Sequence, residues 1–234
     1  MILLVRMAIT IAIANQKGGC GKTTACMNLA GGLACAGYKV LVVDADPQGS
    51  AMNWRNMSEE SRLPFQLVAM ATASIHRELP TIIRNASYEV VLIDCPPGGA
   101  AKGDSTTRSA MLAADVILLP VRPSPLDYQA AETLVPLLTE VALVKPGLRA
   151  YILINARTVN NLGKEAREVA LAMFRTAELK IEVFTSELSH LTAFTESPAM
   201  GRTVLDYAPG SKAAEQVLQL TNEVIGCLSQ NGAA

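Results

Sequence analysis

Apolar residues fall in seven runs, at positions 8–14, 39–44, 65–69, 88–94, 115–120, 149–155 and 181–184, and within most of them they follow one another without polar alternation. Continuous runs of this kind predict parallel strands covered on both faces, because neither face is left to carry polar side chains. The segments between them are long enough for helices. The stretch 22–37 stops at Gly37, the residue type that most readily adopts the left-handed conformation at a helix end. The stretch 126–142 follows a proline-rich turn. In 213–228, Val217, Leu218, Leu220, Val224, Ile225 and Leu228 form a broad apolar stripe opposite a polar face. Strand and helix thus alternate, which predicts an α/β fold: a doubly wound, mostly parallel sheet flanked by helices, with ligands at the carboxyl ends of its strands. No repeats or low-complexity linkers interrupt the pattern.

Composition supports one large core. Half of the 234 residues are hydrophobic and 18% are charged, so positions 1–234 read as a single domain and disorder is not expected. The apolar start, 1–14, contains Arg6, lacks a small-residue cleavage site and runs straight into a glycine loop, so it reads as a buried strand, with Met7 an alternative start. Five cysteines, at 20, 26, 35, 95 and 227, form no CxxC pair, and His76 and His190 lie far apart. A reduced, cytoplasmic protein without a structural metal is expected. Net charge is −1, yet residues 145–212 hold nine Lys or Arg against seven Asp or Glu, whereas 213–234 hold no Lys or Arg and two acids.

The chemistry concentrates in "ANQKGGCGKTT", residues 14–24, which joins the first strand to the first helix. Gly18, Gly19 and Gly21 let backbone amides, including that of Cys20, face inward, and the helix opening at Lys22 presents its positive end. Lys22 can reach terminal phosphates; Thr23, followed by Thr24, can place a hydroxyl on a magnesium ion. Gln16 stands where a standard P-loop has glycine, and a second lysine, Lys17, follows it. Further along, the strand 40–43 delivers "DADPQGS", with Asp44 and Asp46, and the strand 90–93 delivers "DCPPGG", opening with Asp94. Parallel strands bring both ends to one crevice. A carboxylate there can hold a metal through its water shell, and another beside the terminal phosphate can orient an attacking water. Asp44 fits either such a role or the capping of a turn before Pro47.

"KGGCGKTT", "DADPQGS" and "VLIDCPPG" resemble, in order and spacing, the three nucleotide motifs of the ParA/MinD family of deviant Walker ATPases, and "PVRPSPLD" at 120–127 resembles a stretch shared by the small partition ATPases ParA and ParF. The resemblance covers nearly the whole chain and implies a P-loop NTPase of deviant Walker type using ATP and Mg2+. It implies that Lys17 is the signature lysine, which crosses a homodimer interface to the phosphates of the other subunit. A second cation is valuable there because a water-excluded interface strengthens its attraction to a triphosphate. Further implied roles are catalysis for Asp46 in the first switch beside Asp44, the Walker B position for Asp94 with magnesium held through water, and the second switch for Pro96, Pro97 and Gly98. Asn155 resembles the family's purine-edge residue, since an amide both donates and accepts; it can equally cap its strand's loop. In "RPSPLD", Arg122 and Asp127 are candidate interface charges.

Output surfaces separate the functions that use such an engine. Membrane positioning needs a basic amphipathic helix, but nothing after Lys212 is Lys or Arg, so no membrane partner is expected. An iron–sulfur reductase needs paired cysteines near the second switch. Cys95 lacks a suitable second cysteine before Cys227, while Cys26 and Cys35 read as helix core. DNA remains, since an ATP-made dimer doubles a weak basic surface. Candidate contributors are Arg157, Lys164, Arg167, Arg175, Arg202 and Lys212. No N-terminal length is spare for a helix-turn-helix, so sequence-independent DNA binding is expected. The resemblance therefore implies a nucleoid-associated partition ATPase with weak intrinsic hydrolysis, stimulated by a ParB-like DNA-bound adaptor. The same engine positioning a carboxysome or a chemotaxis cluster, and a metabolic enzyme resembling dethiobiotin synthetase, are the alternatives; Lys17 argues against the last.

Overall fold

A computed structural model describes residues 8–58, 63–98, 105–174 and 180–229. Seven strands, β1 (Ile9–Ile13), β2 (Val40–Asp44), β3 (Gln66–Ala69), β4 (Val90–Asp94), β5 (Val116–Val121), β6 (Arg149–Arg157) and β7 (Ile181–Ser189), form one parallel sheet in the order β3-β2-β4-β1-β5-β6-β7. All seven predicted runs are strands. β2, β4 and β5 are buried at every position, as continuous apolar runs require.

Successive residues still serve opposite layers. Ile11, Ile13, Val42 and Leu92 face a core closed by α1 (Lys22–Cys35), α2 (Ser50–Asn56), α10 (Val204–Tyr207) and α11 (Lys212–Ser229). Ala12, Val43, Val91 and Ile117 face a second core closed by α3 (Ile75–Ala86), α4 (Ser105–Ala113), α5 (Pro125–Glu132), α6 (Val135–Val144) and α8 (Ala166–Phe174). Two short helices, α7 (Asn161–Lys164) and α9 (Ala193–Glu196), and a 3-10 turn at Ser197–Met200 complete the described chain. Because β4 inserts between β1 and β2, the loops after these three strands meet on one crevice.

Three expectations change. The stretch 126–142 is two helices, not one: Pro136 lacks an N–H and its ring clashes with the preceding turn, so α5 ends at Glu132 and α6 starts afresh beside the proline. β7 runs five residues past the predicted 184, through polar Thr185, Ser186 and Glu187. It survives there because its pairing with β6 shifts register and Glu223 of α11 accepts hydrogen bonds from the Thr185 and Ser186 amides, both at 2.7 Å. Cys35 is exposed in the last turn of α1, whereas Cys26 is fully buried.

The centre of α1 carries Gly31 and Gly32, a costly choice in a helix unless another backbone must come close. A Cβ on Gly32 would stand 2.0 Å from the Thr221 hydroxyl of α11. Gly32→Ala is therefore expected to destabilise the fold by about 1–3 kcal/mol, read as a lower urea midpoint; an unchanged midpoint would mean that α11 shifts freely.

Candidate nucleotide site

The loop between β1 and α1 is pinned from below by Asn15. Its buried side chain donates to the Pro120 carbonyl at 2.7 Å and accepts from the Lys17 amide at 3.0 Å, fastening the glycine loop to β5. Gly21 has φ 90°, and a Cβ there would stand 2.0 Å from the Asn155 amide nitrogen, so both conformation and space require glycine. Among the described residues no side chain caps α1, which leaves its first N–H groups and its positive end open to an anion. Lys22, 7% exposed, is fixed by donating from Nζ to the Lys17 carbonyl at 3.1 Å.

The aspartates separate into different environments. Asp44 and Asp94 are register partners on neighbouring strands, each 1% exposed. Asp44 accepts from the amides of Asp46 at 3.2 Å and Met52 at 2.9 Å, so it shapes the turn and holds the first turn of α2. Burial nevertheless raises its pKa. Among the described residues neither carboxylate oxygen of Asp94 has a hydrogen-bond partner of regular geometry, although the nearby Thr23 hydroxyl and Lys22 favour its charge. Burial prevails over both, aided by the Asp44 charge, and pushes the Asp94 pKa up to about 7. Two orphaned buried oxygens beside a hydroxyl and a phosphate-type loop suit a hydrated divalent cation. Asp46 instead lines the crevice, with one oxygen accepting from the Gln48 amide at 2.9 Å.

Gly18, Gly19, Gly21, Lys22, Thr23, Thr24, Asp46 and Pro97 line one cleft of about 710 Å3, a size suited to a small-molecule ligand. Lys17 does not line it. Its ammonium pairs with Asp127 at 2.7 Å, and Asp127 also accepts from Arg122 Nε at 3.1 Å. Asp127 is 2% exposed, so it is a buried counter-ion within its own subunit and not a free interface charge. Burial would raise its pKa, but the hydrogen bonds from Lys17 and Arg122 outweigh burial and hold it below the ordinary carboxylate range. The Gly98 amide donates to the Gln16 carbonyl at 2.7 Å, tying the segment of Pro96 and Pro97, expected from sequence to be the second switch, to the loop. Asn155 donates to the Cys20 carbonyl at 2.7 Å; it braces the loop and is outside the lining of the cleft.

The cations selected for DNA do not form one patch of free side chains. Arg157 is engaged by Glu187 at 2.8 Å and the Gly163 carbonyl at 2.9 Å, and Arg167 donates to the Val183 carbonyl at 3.5 Å. Lys164 and Lys212 are exposed, the Arg202 side chain makes a surface pair with Asp206 at 3.4 Å, and Arg175 lies outside the described residues. Sequence reading overlooked the outer wall of the cleft: Gln48, Ser50, Asn53, Trp54, Met57, Thr195, Pro198 and Ala199. Gln48 and Ser50 lie inside the quoted "DADPQGS" and could have been found there. Trp54 Nε1 donates to the Arg202 carbonyl at 3.0 Å and Asn28 accepts from the Val204 amide at 2.7 Å, contacts without a local signal that help bring Thr195 to Ala199 back over the site.

Comparison with known proteins agrees with this fold. A family model described as an AAA domain matches residues 8–63. The chain is 30% identical to the maintenance of carboxysome distribution protein A of Halothiobacillus neapolitanus, over 93% of this chain and 97% of the relative. It is also 30% identical to the chromosome-partitioning ATPase Soj of Thermus thermophilus, over 92% and 94%. Among solved structures, the septum site-determining protein MinD of Pyrococcus horikoshii, complexed with Mg-ADP, superposes with a TM-score of 0.74 at 21% identity, covering 93% of this chain and 96% of that one. With its lysine-bearing glycine loop, its aspartates at neighbouring strand ends and relatives matched over nearly its full length, the chain belongs to the ParA/MinD family of deviant Walker ATPases.

Proposed function

We propose that this protein hydrolyses ATP to ADP and phosphate and uses the cycle to partition DNA: the triphosphate joins two subunits, the dimer binds DNA without sequence preference, and hydrolysis stimulated by a DNA-bound ParB-like adaptor releases it. One observation carries the reading. Lys22 faces the cleft of its own subunit, while Lys17, from the same loop, stands outside that cleft with 32% of its side chain exposed, where a second subunit can meet it.

The chemistry follows from the residues present. The open amides of the glycine loop and of the α1 N-terminus, with Lys22, hold the phosphates. Asp46, on the cleft wall, orients a water toward the terminal phosphorus and takes its proton as the bond to the bridging oxygen breaks. Lys17 of the second subunit adds a cation to the same phosphates. Thr23 and, through water, Asp94 would hold Mg2+, which supplies charge neutralisation on the phosphates when bound. Asn155, braced beside the loop, is the candidate for the purine edge.

Asp46→Ala tests the reading in one experiment. The variant is expected to retain ATP, lose turnover and hold DNA persistently with ATP, with affinity falling steeply as salt rises because Lys and Arg displace counterions from phosphates. Equal DNA binding with ATP and ADP would remove the switch from the proposal. A carboxysome is the second cargo to consider, favoured by the name of the Halothiobacillus relative. Stimulation of turnover by a ParB-like adaptor and not by a carboxysome adaptor would decide for DNA cargo.

A further inference from the structure

Two cations share one buried carboxylate at the edge of the site. Asp127 lies in the first turn of α5, with its amide donating to the Ser124 carbonyl at 3.0 Å. Its two oxygens serve different partners, Oδ2 taking Lys17 and Oδ1 taking Arg122. A second contact, from the Thr133 hydroxyl to the Gln16 side chain, joins the far end of the same helix to the same loop. Residues 16 and 17 are thus clasped from one side by α5 and from the other by Gly98. Leu126, next to Asp127, is 68% exposed beside this clasp.

We propose that Asp127 withholds Lys17 from the neighbouring subunit, and that Arg122 takes over the carboxylate when the lysine leaves. The inference rests on the ATP-dependent dimer of the preceding subsection. An ammonium already paired at 2.7 Å has part of its field cancelled, so a nucleotide in the other subunit must offer a stronger negative potential than Asp127 does. A triphosphate carries more negative charge than a diphosphate, so the clasp sharpens discrimination between them. Departure of the lysine is tolerable because Arg122 remains at 3.1 Å; without it a buried carboxylate would stand alone, which is strongly disfavoured. Asp127 is thereby a positioning residue acting through Lys17, and Arg122 favours release.

The two residues therefore have opposite signs, which a purely structural role would not produce. Dimer dissociation constants are measured with ATP by sedimentation in the non-hydrolysing Asp46→Ala background. Adding Asp127→Asn is expected to tighten the dimer about tenfold, and adding Arg122→Ala to weaken it by a similar factor, within the usual range of coupling between sites. In a Lys17→Ala background, where no ATP-dependent dimer is expected, Asp127→Asn is expected not to restore one. Shifts of the same sign, or none, in a dimer that does form would overturn the clasp and leave the functional reading standing. Failure of the Asp46→Ala protein to dimerise with ATP would overturn both. Should Asp127→Asn fail to fold by circular dichroism, the surface variant Arg122→Ala decides alone: weakening supports the clasp, and tightening or no change overturns it.

Discussion

Lys17→Ala is expected to abolish ATP-dependent dimers and to lower turnover at least about a hundredfold, the scale on which loss of one preorganised charge stabiliser is felt. Nucleotide binding by the single subunit should change little, because the groups that line its cleft are Lys22 and the glycine loop, whereas the Lys17 ammonium points to Asp127. The backbone of residue 17 still supplies the carbonyl that holds Lys22, so alanine leaves that contact in place. The pairing with Asp127 adds a second consequence. Removing the lysine leaves the buried carboxylate with Arg122 as its remaining partner among the described residues, so a modest loss of stability should accompany the loss of dimer. Lys17→Arg separates the two effects: it keeps a cation for Asp127, but its planar fork does not reproduce a compact ammonium at the phosphates. Sedimentation with and without ATP, with phosphate release on the same samples, reads the outcome. A variant that still dimerises and turns over fully would end the trans role of this side chain.

Most of this architecture was written locally. Strands buried on both faces must be apolar throughout, so β2, β4 and β5 announce themselves by continuous runs, and the glycine loop announces itself because only glycine fits at Gly21 beside Asn155. The break before Pro136 was equally local and should have been read from the missing N–H. The far half of β7 was not local. Its polar residues stay in the sheet with help from α11, where Glu223, 37 positions from Ser186, meets the Thr185 and Ser186 amides. The site divides in the same way. Asp46 and Asp94 follow from strand ends, but the quoted motif leaves Asp44 and Asp46 equivalent, and the amides of Asp46 and of Met52 on α2 assign Asp44 to the turn. Asp127 shows the limit most clearly. An aspartate after a proline-rich turn reads as exposed, and its burial against a lysine 110 positions away depends on how α5 crosses the loop. Net charge told little about DNA for a related reason: Arg157 and Arg167 count as cations in sequence, yet the fold engages both internally.

Asp94→Asn should make the nucleotide-free protein more stable at pH 8 while greatly reducing the stabilisation that magnesium and ATP give together. The sign follows from the carboxyl group's two environments. Its pKa is 3.8 in an ordinary setting and about 7 in the fold, raised chiefly by burial, so the folded state keeps its proton over a range in which the unfolded state has lost it. The unfolded chain then binds fewer protons, and stability falls as pH rises from about 4 to about 7, by a ceiling of about 4 kcal/mol for a shift of this size. Above pH 7 the whole penalty is present and no further change is expected from this group. Asparagine cannot ionise and lacks that segment of the curve, though its amide must itself find partners near Thr23, which reduces the gain to about 1–3 kcal/mol. The stabilisation should be largest at pH 8 and vanish near pH 4. Wild type should recover stability when Mg2+ and ATP are added together, by mass action on the folded state, because the two orphaned oxygens then have a counter-charge. The variant should show a much smaller magnesium-dependent rise. Thermal or urea unfolding at pH 4, 6 and 8, with and without Mg2+, is the measurement. A variant destabilised equally at every pH would mean that the Asp94 charge is already compensated within the apo fold, and the case for this carboxylate as the cation's anchor would lapse with it.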